Sequence, residues 1–378
     1  MLTTFARTRP VITSRAIAAA AARSLLHWPD RLLEREHGAM ALEAADSLGN
    51  IGLKSIFSLC GGVDFDADPD DMIFAAISTE SLPVVLENVA NKSVVAAYEA
   101  VGAVANTVCA VSDLRSLRPE GRVRLTAGGT FERVTGVGLE LNQPWLGDDS
   151  SHNITGSSYS RLYQIPREVI INDDAGAFLG MPKVVGRNAA TTVERVLFEL
   201  ILANASSFFG TGNGNYKSGA GSALSATSLA TAAQTLREQK DDNGDLLLQV
   251  PRFLMVPPAL EATALAQYRL TNVEGAGSVN DGGSEMAGDL PLSRYTPITA
   301  GYLGAAGGLT GASDTGWYTF ANPADIAAFE IGYLNGQRYP VIRTAPTDGS
   351  FLGVTFQAIF DFGVAAADPR AAVLSAGV

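Results

Sequence analysis

The 378-residue chain holds only three histidines, His27, His37 and His152, and two cysteines, Cys60 and Cys109. Two of the histidines fall near the N-terminus, so a histidine triad or a three-histidine metal site is poorly supplied. Two cysteines cannot build a disulfide framework or, alone, a zinc site, and they favour a reducing compartment. Asp64, Asp66 and Asp68 open like a calcium loop, but Pro69 stands at the sixth position where glycine belongs and Ala75 at the twelfth where glutamate belongs. The glycine-rich stretch from Gly210 to Ser218 resembles a phosphate loop, yet Tyr216 occupies the place of the glycine before the lysine. Lys217 likewise replaces the last glycine of a dinucleotide fingerprint. Asp361-Phe362-Gly363 matches a kinase tripeptide with no catalytic-loop motif before it and reads as a strand end. Asp173 and Asp174 are explained by a helix start. No catalytic group, cofactor or metal is expected.

The elements around these residues are mixed. Hydrophobic residues make up 47% of the chain, enough for a substantial core, while 39 glycines and 17 prolines are too many for a helical bundle. The net charge is −12, so the chain as a whole is repelled by nucleic acid. Against that balance, Arg7, Arg9, Arg15 and Arg23 precede the first acid, Asp30. Arg15 and Arg23 interrupt the apolar stretch that a secretory signal needs, and this basic start reads as an arm lying on a neighbour or on phosphates. No stretch is apolar enough for a membrane span.

Helical spacing predicts helices over Ala16–Leu26, Leu82–Tyr98, Ser225–Lys240 and from Pro257-Pro258 to about Leu270. The longest is predicted from Pro182, placed in a first turn, to Ala205, roughly 35 Å at 1.5 Å per residue. Between Gly121 and Pro166 helical spacing disappears. That segment reads as a long two-stranded excursion with an irregular tip near Trp145 to Gly156. A connection of that length needs partners, and another subunit is the obvious source. Strands are predicted at Phe253–Val256, Tyr295–Tyr302 and Trp317–Phe320, with a hairpin of Phe329–Leu334 and Gln337–Arg343 about the turn Asn335-Gly336. A last strand, Val354–Phe362, places alternate apolar residues on one face. The class is α+β.

Five stretches resemble the major head subunits of Mu-like bacteriophages: SLPVVLENVANKSVVAAYEA from Ser81, YQIPREVIINDDAGAF from Tyr163, PRFLMVPPALEATA from Pro251, WYTFANPADIAAFEIGYLNGQRYPVI from Trp317 and VTFQAIFDFGVAAADPR from Val354. The resemblance runs in order from Ser81 to Arg370, weakest between Thr271 and Gly316. It implies the tailed-phage capsid fold: an N-terminal arm and leading helices over 1–110 and an extended loop over 121–166. It further implies a peripheral domain over 167–245 and 317–362 with the spine helix at 182–205, and an axial domain over 246–316 and 363–378.

The implied function is that of a non-enzymatic major capsid protein. It would assemble through hexamers and pentamers into an icosahedral-type head around double-stranded DNA, in the virion and, during assembly, the host cytoplasm. Its partners would be other copies of itself, portal, scaffold or decoration proteins, and packaged DNA touched weakly and without specificity. Candidate inter-subunit contacts are Arg7, Arg9, Arg15, Arg122, Arg124, Arg133 and Trp145, the arginines suited to carboxylates across a boundary. Some shells of this fold carry lysine–asparagine crosslinks. With no lysine between Lys92 and Lys183, the loop cannot donate one, and a non-covalent shell follows. Two other functions stay open: an encapsulin-like nanocompartment shell, and a soluble hydrolase with a carboxylate site.

Overall fold

The computed structural model describes residues 12–62, 64, 75, 81–102, 104–124, 150–172, 175–204, 207–241, 244–269, 295–345 and 353–378. Its helices are α1 (Ser14–Leu26), α2 (Asp30–His37), α3 (Ala39–Leu48), α4 (Leu53–Gly61), α5 (Ser81–Ala100), α6 (Ala105–Val108), α7 (Arg167–Ile171), α8 (Ala175–Ala203), α9 (Ala226–Arg237) and α10 (Glu261–Arg269). Its strands are β1 (Ala110–Leu114), β2 (Glu120–Arg124), β3 (Ser150–Ile154), β4 (Ser157–Pro166), β5 (Tyr216–Lys217), β6 (Pro251–Val256), β7 (Thr296–Thr299), β8 (Trp317–Ala321), β9 (Phe329–Leu334), β10 (Val341–Ala345), β11 (Gly353–Ala366) and β12 (Ala372–Ser375). The α+β class read from the sequence is what the structure shows. Two compact units divide the chain, the first within 1–102, 158–191 and 337–361, the second within 103–157, 192–336 and 362–378.

In the first unit, Thr13 caps α1 by accepting the Ala16 N–H. Ala16 and Ala18–Ala22 are then almost wholly buried. Alanine costs no side-chain entropy in a helix and leaves room for close neighbours. The helix ends where His27 takes a left-handed conformation (φ 54°) and Pro29 begins the next one. The core joins Ile17 and Leu25 to Ile56 and Phe57 of α4, to Val85, Val89 and Val94 of α5, and to Phe356 of β11. From Ser14 onward, therefore, the stretch read as a projecting arm is packed into its own unit. Residues 1–11, with Arg7 and Arg9, lie outside the described residues.

The polar side of α5 completes this unit. Asn91 donates to the Ile342 carbonyl and accepts the Ile342 N–H, and Glu87 accepts the Thr344 N–H at 2.6 Å. These side chains take up backbone groups of β10, whose other edge pairs antiparallel with β11 from Thr355 to Ile359. Contacts of this kind take up edge groups that a stray strand would otherwise pair with.

The hairpin expected about Asn335-Gly336 does not form. The turn itself is present, with φ of 52° and 71° at the two residues, but β10 pairs with β11 rather than with β9. In the second unit, β9 pairs in parallel with β1 and antiparallel with Phe362–Ala366 of β11. At fourteen residues β11 is long enough to serve both strands. Asp361-Phe362-Gly363 thus lies inside a strand, not at its end. At Gly363 a side chain would strike the Thr155 carbonyl, which fixes glycine there by contact with the backbone.

The long helix also differs from its expected span: α8 begins at Ala175 and keeps Pro182 inside it. An interior proline forfeits one backbone bond and costs roughly 3 kcal/mol. Here Pro182 is buried. Four residues on, Gly186 sits so close to α5 that a methyl group would meet the Val94 carbonyl. Packing outweighs local propensity.

The second unit holds a sheet in the order β5-β12-β8-β6-β7. Trp317 on β8 is fully buried and its indole N–H donates to the Ser222 carbonyl at 2.8 Å. Phe208, Phe209, Tyr318, Phe320 and Phe329 form a chain of ring contacts with centroids 5.0–6.4 Å apart. Ser225 and Ser228 form a capping box at the start of α9, so that Ser225 caps this helix instead of joining it, and the helix ends at Arg237, short of the expected Lys240.

Candidate functional site

Among the described residues the groups that could do chemistry are committed elsewhere. No cluster of three or more histidines, cysteines and carboxylates is placed there to hold a metal ion. Cys60 and Cys109 are buried thiols, and burial pushes the Cys109 thiol far above its usual range, away from the thiolate a nucleophile needs. The glycine-rich loop is closed on itself. Its Gly210 N–H, which a phosphate would require, donates to the buried Asn215 side chain at 2.9 Å, and Asn215 in turn donates to the Phe208 and Pro369 carbonyls. Of the calcium-like run only Asp64 is described, and Asp173 and Asp174 lie outside.

The base of the long excursion is the most organised polar site in the second unit. There β2 and β3 pair antiparallel from Glu120↔Ile154 to Arg124↔Ser150. The irregular tip expected from Trp145 is corrected in part, since Ser150–Ile154 is a strand. The returning half of the excursion is corrected as well: past the expected tip, β4 pairs with β11 and not with the outgoing strand.

Arg122 and His152 face each other across the β2–β3 pair, and both reach Glu330 on β9. His152 Nε2 lies 2.6 Å from Glu330 Oε2, and Arg122 Nε lies 3.3 Å from Oε1. The second contact is ionic rather than a well-aligned hydrogen bond, since Arg122 Nε has no bonded acceptor. Arg122 Nη2 also donates to the Asp113 carbonyl at 3.0 Å. The Glu330 side chain is only 11% exposed. Burial alone would raise its pKa, but the contacts with His152, Ser112 and Arg122 outweigh it and hold the carboxyl below its ordinary value. Glu120 accepts the backbone N–H groups of Arg115 and Ser116, and so clamps the turn between β1 and β2. The exit of the excursion is thereby tied down by a knot of charges within one chain. Arg122, expected to seek an acid on another subunit, finds one on its own.

In the first unit, Arg15 is exposed on α1. Arg23 pairs with Asp30 at 2.9 Å and with Asp46, which holds α1, α2 and α3 together. Lys92 of α5 lies 4.4 Å from the centre of the Trp28 ring, 3.2 Å from Glu36 and 2.9 Å from His37 Nε2. Burial lowers the His37 pKa, and Lys92 adds to the shift. Beside this cluster is an open cavity of about 790 Å³, floored by Leu25, Ala97 and Val101 and rimmed by Lys92, Lys183 and Arg187. No carboxylate lines it among the described residues, so a carboxylate-dependent hydrolysis finds no acid–base carboxyl there.

Of the candidate contacts, then, Arg15 is exposed and Arg122 is engaged. Arg124 is described in its backbone alone, and Arg7, Arg9, Arg133 and Trp145 lie outside the described residues. Sequence reasoning missed Glu330, Glu87 and Asn91. Glu330 carried one signal, a lone acid in the apolar strand FEIGYL.

The family model described as phage capsid protein matches residues 152–375, more than half the chain. The chain belongs to the phage capsid protein family. No curated protein matches the sequence. Solved structures similar to this capsid protein include the virus-like particle from Pyrococcus furiosus, 13% identical, with a TM-score of 0.43 over 75% of this chain and 96% of that one. Two more are the capsid of cyanophage P-SCSP1u (14% identical, TM-score 0.41, 71% and 85%) and the encapsulin complex of Synechococcus elongatus (10% identical, TM-score 0.42, 71% and 84%). The family assignment stands on the sequence match. As a phage capsid protein the chain is a structural subunit, and its place is the shell of the virion.

Proposed function

We propose that this capsid protein is the major head subunit, assembling through hexamers and pentamers into a closed icosahedral-type shell around double-stranded DNA, and that it has no catalytic role. Membership of the phage capsid protein family carries this reading. A shell multiplies weak contacts into a stable whole, since each subunit is held by several neighbours at once. The excursion beyond β2 and β3, anchored at its base by Glu330, is suited to reach over a neighbouring subunit. Residues 246–316 and 363–378 are assigned to the ring centres, 167–245 and 317–362 to the periphery. Arg15 remains a candidate contact, and the net charge of −12 keeps packaged DNA from adhering to the wall. Portal, scaffold or decoration proteins would be its other partners, met in the host cytoplasm during assembly.

Nuclease treatment of virions containing the chain, followed by extraction, tests the cargo. Protected double-stranded DNA is expected. Particles that protect an enzyme and no DNA would replace the head by a nanocompartment shell.

A further inference from the structure

The open cavity of the first unit has a polarity that the chain as a whole does not. Lys183 and Arg187, both exposed and one turn apart on α8, stand on its rim. No carboxylate lines the cavity among the described residues to answer them, whereas the third cation there, Lys92, already has Glu36 at 3.2 Å. They lie in the interior of Ala175–Ala203, so the helix dipole, which favours cations only in the last turn, does not account for them. In a chain of net charge −12, a rim of unanswered cations is the exception.

The floor beneath them is apolar. Leu25, Leu26 and Trp28, at and just beyond the end of α1, line it with Ala97 and Val101 of α5. At about 790 Å³ the cavity falls within the roughly 300–1,000 Å³ of clefts that enclose a small ligand, so it takes a few side chains and not a whole protein face. Its occupant must bring apolar groups for the floor and carboxylates for the rim. A phosphate backbone would supply the charge alone.

The chain itself contains a segment of that chemistry. Five aspartates fall within residues 64–71, with Phe65 among them and Met72, Ile73 and Phe74 directly after, and no lysine or arginine occurs between Lys54 and Lys92. A block of like charge repels itself and favours a basic partner. Along α5 the two are set apart: the segment leads into the helix at Ser81, while the cavity is lined by α5 residues 92–101, roughly 17–30 Å further on at 1.5 Å per residue. Asp64, the described aspartate of the run, is exposed and does not line the cavity.

We infer that the cavity is a socket for residues 64–74 of a second copy of this chain, the apolar side chains meeting the floor and the aspartates meeting Lys183 and Arg187. The inference rests on the shell reading above and gives it a specific contact. Socket and segment are different surfaces, so each copy gives its segment to the next and the contact propagates.

The test uses the full chain, with light scattering and electron microscopy to follow assembly and thermal melts of the unassembled protein to report the fold. Lys183→Glu with Arg187→Glu, and separately Asp70→Lys with Asp71→Lys, are each expected to melt like the parent and to lose assembled protein at least tenfold. Mixed in equal amounts, the two variants are expected to assemble together, because each acidic segment then finds a basic socket and each reversed segment a reversed one. Rescue only when all four changes share one chain would place the segment in its own cavity and overturn the inference. So would assembly of both variants at the parent level, or no rescue in either arrangement. If the reversed proteins fail to fold, a labelled peptide of residues 63–74 decides: the unassembled parent is expected to bind it at least tenfold more tightly than the same peptide with asparagine for every aspartate. Equal binding of the two peptides, no binding, or displacement of the peptide by a short DNA duplex would overturn the inference. A parent chain that never assembles would refute the shell reading, and the peptide would still decide the socket.

Discussion

Replacing Glu330 with alanine removes the shared anchor of Arg122 and His152 at the base of the excursion. The His152 contact at 2.6 Å is a hydrogen bond between groups 18% and 11% exposed, in the class worth roughly 1.5–3 kcal/mol. Arg122, with its side chain 32% exposed, adds less than about 1 kcal/mol after screening. A loss of about 3 kcal/mol lowers the melting temperature of a unit of this size by about 6–12 °C. The pH dependence has a fixed sign. The folded pKa of Glu330 lies below its ordinary value of 4.5, so its contribution is fully present above that pH and is lost as pH falls through the folded value. The parent and Glu330→Ala should therefore differ by the full amount at pH 7 and converge below pH 4.5, while Glu330→Gln should fall between them at pH 7. Circular-dichroism melts across that range measure it. Equal midpoints at pH 7, or a gap that does not narrow in acid, would refute the anchoring role.

The same reasoning reaches the first unit. Burial and Lys92 lower the His37 pKa, Glu36 opposes them and Arg15 assists, so the fold favours neutral His37 and loses stability as pH drops below 6.5. His37→Gln should flatten that decline in melts taken from pH 7.5 to 5. Trp317→Phe leaves the Ser222 carbonyl without its donor and a void beside it, a cost of about 2–4 kcal/mol in urea unfolding. Gly363→Ala should lower the melting temperature as well, because the new methyl meets the Thr155 carbonyl; an unchanged midpoint would show that the strand shifts freely. With no lysine from residue 93 to 182, assembled shells boiled in detergent should run as a single monomer band, and a ladder of oligomers would contradict that.

What the sequence disclosed follows from how local each signal was. Helix α9 and strands β6 and β8 were legible because caps and alternation act within a few residues. The order of strands was not, because Asn335-Gly336 encodes a turn and says nothing of which strand the returning chain meets. Pro182 was read as a first turn on propensity, and tertiary packing of Gly186 against α5 overrode it. The base of the excursion was found by its change of pattern. Its anchor was not, since Glu330 lies 178 residues from His152 and no spacing rule joins them. The basic start was read as an arm on charge alone, while its alanines, which pack α1 into a core, carried the contrary signal.

Negative-stain electron microscopy of the purified full-length chain tests the central claim most directly. Closed shells of uniform diameter, or the ring-shaped capsomers that build them, are the expected images. A population of monomers or dimers, unchanged by concentration, would contradict the account.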